Sequence, residues 1–313
     1  MTRAFLFPGQ GSQAVGMGKE LAQSFASARE IFEEVDEALK QKLSKLMFEG
    51  PENELTLTEN AQPALMAVSL AVVRTLEREA GVKLGPAIAF VAGHSLGEYS
   101  ALAAAGTFSV ADAARLLKAR GQAMQKAVPV GEGAMAAILG LGLDAVRAAA
   151  AEAAEGEVCD VANDNSEEQV VVSGNAAAVA RAVELAKAKG AKRGVMLPVS
   201  APFHSALMRP AADAMAARLE TIAMAAPIVP VVANVSAKPE RDPAAIKRLL
   251  VEQVCAMVRW RECVLAMRGA GVDHFVEVGA GKVLSGLAKR IARDANATAV
   301  GGPADIETFL KGV

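Results

Sequence analysis

The chain has 313 residues, of which 52% are hydrophobic and 22% charged, with a formal net charge of −2. That is a globular composition, large enough for one or two cores, and it excludes a disordered chain and a globally basic binder of nucleic acid or anionic membrane. Three cysteines, Cys159, Cys255 and Cys263, share no metal-ligand spacing and leave one over in any disulfide scheme, so reduced thiols, no metal and a cytoplasmic setting are expected.

Residues 4–7 form a short buried strand, ended by Pro8-Gly9-Gln10-Gly11-Ser12. The run is too short for a signal-peptide core, and no other apolar stretch reaches membrane-spanning length. Helical periodicity occupies 19–48. A second helix is introduced by Asn60-Ala61-Gln62-Pro63, with Pro63 in its first turn, and it stops at Gly81. The apolar run 87–92 leads into Gly93-His94-Ser95-Leu96-Gly97, and a helix-like stretch, 98–105, follows. The next helix begins at Val110, capped by Ser109, with Asp112 in a capping-box position.

The pattern changes near Val128-Pro129-Val130-Gly131. Strands at 134–139, 158–162, 169–173 and 194–197 and helices at 144–154 and 176–189 follow in the order β-α-β-β-α-β. That is the ferredoxin-like arrangement, complete within 129–198, and it reads as a small domain inserted into a body made of 1–128 and 199–313. Alternation then resumes with a helix after His204, a strand at 228–234, helices to Met267, a strand at 274–278 and a helix from Val283. Strands alternating with helices predict an α/β fold with a mainly parallel sheet covered on both faces.

Strand, G-x-S-x-G and helix make a nucleophile elbow, a cramped turn that lifts the Ser95 hydroxyl out of the backbone. A serine needs a base within hydrogen-bond reach, and the chain has three histidines. His94 adjoins Ser95 and should point elsewhere, and His274 reads as a strand-end residue. His204, in the loop Ser200-Ala201-Pro202-Phe203-His204-Ser205 at the junction of the two regions, is best placed to face a cleft. Arg120 falls on the apolar stripe of Leu116, Leu117 and Met124, where a guanidinium must meet either an internal carboxylate or the carboxylate of a substrate. Gly9-Gln10-Gly11-Ser12-Gln13-Ala14, with Glu33 downstream, matches a dinucleotide fingerprint on its surface. Pro8 interrupts the required strand-to-helix turn, and the same backbone N–H groups can serve an oxyanion.

Taken together, Phe7-Pro8-Gly9-Gln10-Gly11-Ser12-Gln13, Gly93-His94-Ser95-Leu96-Gly97-Glu98-Tyr99, Arg120-Gly121-Gln122-Ala123-Met124, Val161-Ala162-Asn163-Asp164-Asn165-Ser166, Phe203-His204 and Val251-Glu252-Gln253-Val254 resemble the malonyl-CoA:acyl carrier protein transacylases, acyltransferases of fatty acid and polyketide synthesis. The similarity runs in order over nearly the whole chain. It implies a hydrolase-like core joined to a ferredoxin-like small domain, with Ser95 as nucleophile and His204 as general base and acid. Backbone N–H groups of Gln10 and Leu96 would form the oxyanion hole, and the main-chain carbonyl of Gln253 would hold the histidine ring in place of a triad acid. Arg120 would grip the malonyl carboxylate, with Met124, Asn163 and Phe203 also at the substrate. Phe203 should crowd an α-methyl group and so favour malonyl over methylmalonyl without excluding it.

The resemblance also implies malonyl-CoA as substrate, an acidic acyl carrier protein bearing phosphopantetheine as partner, and no bound cofactor. A monomer is expected. Lys192, Arg193, Lys289 and Arg290 are the candidate docking residues for the carrier protein. Competing expectations are a serine thioesterase or esterase, a polyketide acyltransferase, and an idle carrier-docking module.

Overall fold

In the computed structural model, residues 2–311 are described. The strands in chain order are β1 (Arg3–Phe7), β2 (Ile88–Gly93), β3 (Gly133–Leu139), β4 (Cys159–Ser166) and β5 (Gln169–Asn175). They continue as β6 (Arg193–Met196), β7 (Val231–Val232), β8 (Pro239–Glu240), β9 (His274–Val278) and β10 (Asn296–Val300). They form two sheets. A six-stranded sheet has the order β10-β9-β1-β2-β7-β8, parallel throughout except for β8. A four-stranded antiparallel sheet has the order β4-β5-β3-β6.

The pleat explains why the larger sheet is covered on both faces. Alternate residues of a strand point to opposite sides. Phe5 and Phe7 of β1 pack into one core, with the helices Thr58–Ala80 and Val110–Ala127. Ala4 and Leu6 pack into another, with Trp260, Cys263 and Met267 of the helix Trp260–Gly269 and Leu284 and Leu287 of the helix Val283–Ile291. Every residue of β1 from Ala4 to Phe7 is buried, as a continuous apolar run demands.

The four-stranded sheet arises within one continuous segment. Its helices Leu143–Ala154 and Ala176–Ala188 cover one face through Ala136, Ile138, Val170 and Val172. The other face, through Met135, Ala137, Ala162 and Val171, merges with the main core. β4 is also stitched to the body by backbone: Asp164 N–H donates to Val258 O at 2.9 Å, and Val258 N–H to Ala162 O at 2.8 Å.

Several local expectations need correction. The periodicity over 19–48 is three helices, Lys19–Ser24, Ala26–Leu39 and Leu43–Glu49. Phe25 is extended between the first two, and Lys40 closes the second in the left-handed region, a break that apolar spacing does not register. Pro63 lies beyond the first turn of its helix, because the helix starts at Thr58. Burial of almost every residue from Thr58 to Val73 offsets the hydrogen bond that the proline removes. Only Val231–Val232 of the expected strand at 228–234 pairs in the sheet. β10 and the helix Pro303–Leu310 carry too weak a pattern to be read in advance: β10 is a half-exposed edge strand. Among the described residues no helix is long and apolar enough to cross a membrane.

Candidate active site

The elbow is built by close backbone approach. A Cβ on Gly93 would stand 1.9 Å from the Gly97 carbonyl, and one on Gly97 would stand 2.2 Å from the Phe7 carbonyl oxygen. Neither position can hold a side chain. Between them Ser95 adopts φ 53°, ψ −109°, a strained conformation for any residue with a Cβ. Asn234, just beyond β7, holds it there: Ser95 N–H donates to Asn234 Oδ1 at 2.8 Å, and Asn234 Nδ2 donates to Gly93 O at 2.8 Å.

His204 meets the serine. Its Nε2 lies 2.8 Å from Ser95 Oγ, and its Nδ1 lies 2.8 Å from the main-chain oxygen of Gln253. A carbonyl only accepts, so Nδ1 carries the proton and Nε2 is the acceptor for the serine hydroxyl. His204 has φ 57°, so its backbone is strained as that of Ser95 is. Burial and then the Arg120 charge pull its pKa down to about 3, so the ring is neutral near pH 7.

Arg120 is 1% exposed. Its Nη1 donates to Gln62 Oε1 at 2.8 Å, and its Nη2 donates to Gln253 Oε1 at 3.0 Å and Ser95 Oγ at 3.1 Å. Its guanidinium carbon lies 5.6 Å from the centre of the Tyr99 ring. Among the described residues no carboxylate comes within 4.0 Å of it to form an ion pair. The alternatives left open by sequence therefore narrow. A buried guanidinium is held by amides, a hydroxyl and a ring, and one of its nitrogens donates to Ser95 Oγ.

These groups open into a cavity of about 580 Å³, lined among others by Gln10, Leu96, Met124, Asn163, Phe203 and Leu197. The backbone N–H groups of Gln10 and Leu96 have no protein acceptor among the described residues. For Leu96 this follows from its place as the first residue of the helix Leu96–Ala104. Gln10 is fixed by its side chain, which accepts from Thr58 Oγ1 at 2.8 Å.

The remaining histidines lie where expected. His94 Nε2 bonds Asn165 Oδ1 at 2.8 Å, and His274 Nε2 bonds Thr298 Oγ1 of the edge strand β10 at 2.9 Å. The dinucleotide reading fails on geometry. No helix begins until Lys19, and Gly9 packs against His94, where a Cβ would stand 2.9 Å from its carbonyl oxygen.

Lys192, Arg193, Lys289 and Arg290 come together with Arg293 around one groove of about 600 Å³, although they lie almost a hundred positions apart. Lys192 is paired with Glu168 at 3.3 Å. β6 runs from this groove, at Arg193, toward the cavity mouth at Leu197.

Sequence reasoning missed Gln62, Glu98, Asn165 and Asn234 as parts of the site. Gln62 and Asn234 each lie within or at the end of an apolar run, which is the available signal, whereas Asn165 sits among polar neighbours and carries none.

Residues 4–302 match the family described as acyl transferase domain. The chain belongs to that family. It is 48% identical over 309 residues to the malonyl CoA-acyl carrier protein transacylase of Bacillus subtilis, covering 98% of this chain and 96% of the relative. The acyl-carrier-protein-S-malonyltransferase of Bartonella henselae has a similar structure, at TM-score 0.97 and 57% identity with all of both chains covered. A type II PKS malonyl-transacylase in complex with its acyl-carrier protein also aligns over all of both chains, at TM-score 0.97 and 44% identity. The acyl transferase family thus shares this chain's α/β architecture.

Proposed function

We propose that this chain transfers malonyl from malonyl-CoA to the phosphopantetheine thiol of an acyl carrier protein, through a malonyl-serine at Ser95, supplying fatty acid chain elongation. The observation that carries this reading is Arg120: a buried cation with no ion-paired carboxylate among the described residues, 3.1 Å from the Ser95 oxygen. A substrate that brings both a thioester and a carboxylate, separated by a single methylene, satisfies it.

In the first half-reaction His204 Nε2 takes the Ser95 proton as Oγ attacks the thioester carbonyl. Negative charge develops on that oxygen between the N–H groups of Gln10 and Leu96. The intermediate collapses, the C–S bond breaks, and coenzyme A leaves with the proton from His204. In the second half the carrier thiol gives its proton to His204, attacks the malonyl-serine ester, and Ser95 Oγ leaves and regains the proton. This is ping-pong covalent catalysis. The Gln253 carbonyl keeps the ring in the right tautomer, while Met124, Asn163 and Phe203 shape the acyl pocket. A thioester is already activated, so the reaction as written needs no cofactor.

In this reading 129–198 is a ferredoxin-like small domain on a hydrolase-like body of 1–128 and 199–313. The groove of Lys192, Arg193, Lys289 and Arg290 takes the acidic carrier protein, and β6 leads its prosthetic arm to the cavity. The enzyme works as a cytoplasmic monomer. The direct test is intact mass and peptide mapping after mixing the protein with malonyl-CoA alone. One malonyl group on the Ser95 peptide, absent in Ser95→Ala and discharged by holo carrier protein, is expected. Free malonate without a lasting adduct would make the chain a thioesterase instead.

A further inference from the structure

Behind the nucleophile lies a carboxylate that the reaction as written does not use. Glu98 is 1% exposed, on the first turn of the helix that leaves the elbow. Its Oε2 accepts two hydrogen bonds, from Asn234 N–H at 2.9 Å and from Gln253 Nε2 at 2.9 Å. Both donors belong to residues that hold the reacting groups. Asn234 Oδ1 takes the Ser95 N–H, and the Gln253 main-chain oxygen takes His204 Nδ1–H.

The side chain of Gln253 connects this carboxylate to the clamp. Its Nε2 faces three oxygens: Glu98 Oε2, Ser95 O at 3.0 Å and Asn234 Oδ1 at 3.1 Å. Its Oε1 faces the Arg120 guanidinium. The amide dipole is therefore aligned between an anion and a cation, with its nitrogen toward Glu98 and its oxygen toward Arg120. Turning it over would set the oxygen against three acceptors and the NH₂ against a guanidinium.

We propose that Glu98 is the positioning acid of this site: the buried counter-charge of Arg120, acting through the Gln253 amide. A cation as deeply buried as Arg120 is costly without a compensating charge, and its direct partners are all neutral. Glu98 balances it in the empty site at one amide's remove, which leaves the guanidinium face free for a substrate carboxylate. A hydrolase triad puts its acid on the histidine. Here the acid stands behind the glutamine and serves the arginine, while a neutral carbonyl serves the histidine.

The same geometry sets the electrostatic preference of the pocket. An ionised Glu98 weakens the pull of Arg120 on an incoming malonyl carboxylate, which holds the acyl group firmly without trapping it. Burial pushes the Glu98 carboxyl up to about 7, with the donors from Asn234 and Gln253 and the Arg120 charge pulling the other way, so at pH 8 it is largely ionised.

The inference rests on the malonyl reading for its kinetic consequence, but its stability consequence is independent of any substrate. The test is a cycle of wild type, Arg120→Gln, Glu98→Gln and the double variant, unfolded in urea at pH 8. Arg120→Gln strands a buried carboxylate and should lower the midpoint. Adding Glu98→Gln, which keeps the shape and both acceptor contacts, should raise the midpoint by more than the same change does in wild type. The single Glu98→Gln variant, loaded with malonyl-CoA and separately with acetyl-CoA, should show a lower KM for malonyl-CoA and a malonyl-to-acetyl preference raised by about tenfold, the scale of one charge removed from a partly shielded site. A role in packing alone would not change that ratio. A gain from Glu98→Gln no larger in the Arg120→Gln background than in wild type, or an unchanged ratio in Glu98→Gln, would overturn the assignment. Failure of the wild type itself to load malonyl would overturn the functional reading and leave the stability cycle standing.

Discussion

The site around Ser95 and the groove around Lys289 are both rich in polar groups, yet they obey different rules. Behind the serine every polar side chain is buried, and each contact at Arg120, Gln253, Asn234 and Glu98 lies between 2.8 and 3.1 Å. In the groove the charges are exposed, and Lys192 has its ion pair to Glu168 with both side chains about 70% exposed (69% and 72%). Burial makes a polar contact costly to lose, whereas solvent and salt make an exposed one cheap to replace. Substitutions in the first region should therefore act singly and steeply, and those in the second only in groups and at low salt.

The steepest break is in the backbone of the elbow. Gly97→Ala brings a Cβ into the Phe7 carbonyl, and no rotamer relieves a clash between backbone atoms. We expect a loss of more than about 4 kcal/mol, in the range reserved for overpacking and special backbone conformations. Urea unfolding checks it; a variant with the wild-type midpoint would mean that the turn relaxes freely. Arg120→Ala comes next. Removing one partner of a buried charged contact costs about 2–5 kcal/mol, so malonyl loading should fall by about thirtyfold or more while acetyl loading is comparatively spared. Equal losses for malonyl and acetyl would place Arg120 in the scaffold rather than at the substrate.

This contrast also explains what could be read from sequence. Ser95, His204 and Arg120 stand out because each breaks a local expectation: a serine between glycines after a strand, a histidine in a junction loop, a cation on an apolar stripe. The α/β alternation was legible for a similar reason, since a buried strand such as β1 is a continuous apolar run from Ala4 to Phe7. Glu98 and Asn234 were not, because their meaning lies in partners 136 positions apart, and a buried glutamate in sequence looks like any other. The break at Phe25 escaped for the opposite reason: its apolar side chain continues the helical pattern while its backbone leaves it. β10 escaped because an edge strand with alternating exposure has little apolar signal in five residues.

Burial also predicts how the inner region responds to pH. The His204 pKa, about 3 in the folded chain against an ordinary 6.5, means that the unfolded chain holds the proton between those values, so stability is lost as pH falls from 6.5 to 3. Glu98, at about 7 against 4.5, has the opposite sign: the folded chain holds the proton, and stability is lost as pH rises from 4.5 to 7. At 1.36 kcal/mol per pKa unit these amount to about 5 and about 3 kcal/mol, and between pH 4.5 and 6.5 their slopes cancel. Removing one group should expose the other. Relative to wild type, Glu98→Gln should gain stability with rising pH across that window. His204→Asn, which suits the left-handed backbone at φ 57°, should lose it. Urea midpoints at pH 5, 6 and 7 decide the matter, and difference curves that stay flat would mean that neither group titrates as its burial requires.

The outer region supplies the smallest effect and the sharpest contrast. Reversing Lys192, Arg193, Lys289 and Arg290 to glutamate should raise KM for the carrier protein at low ionic strength, at about 1 kcal/mol or less per exposed contact. Malonyl loading from coenzyme A should stay as it was, because none of the four lines the inner cavity. The effect should shrink by 0.5 M salt, where the screening length falls below about 8 Å. A single reversal, Lys192→Glu, should do less than the set, since that lysine already shares its charge with Glu168. If all four reversals left KM unchanged at low salt, the groove would be only a solvated meeting of one helix with strand ends and a turn, and the carrier protein would have to reach the cavity from another side.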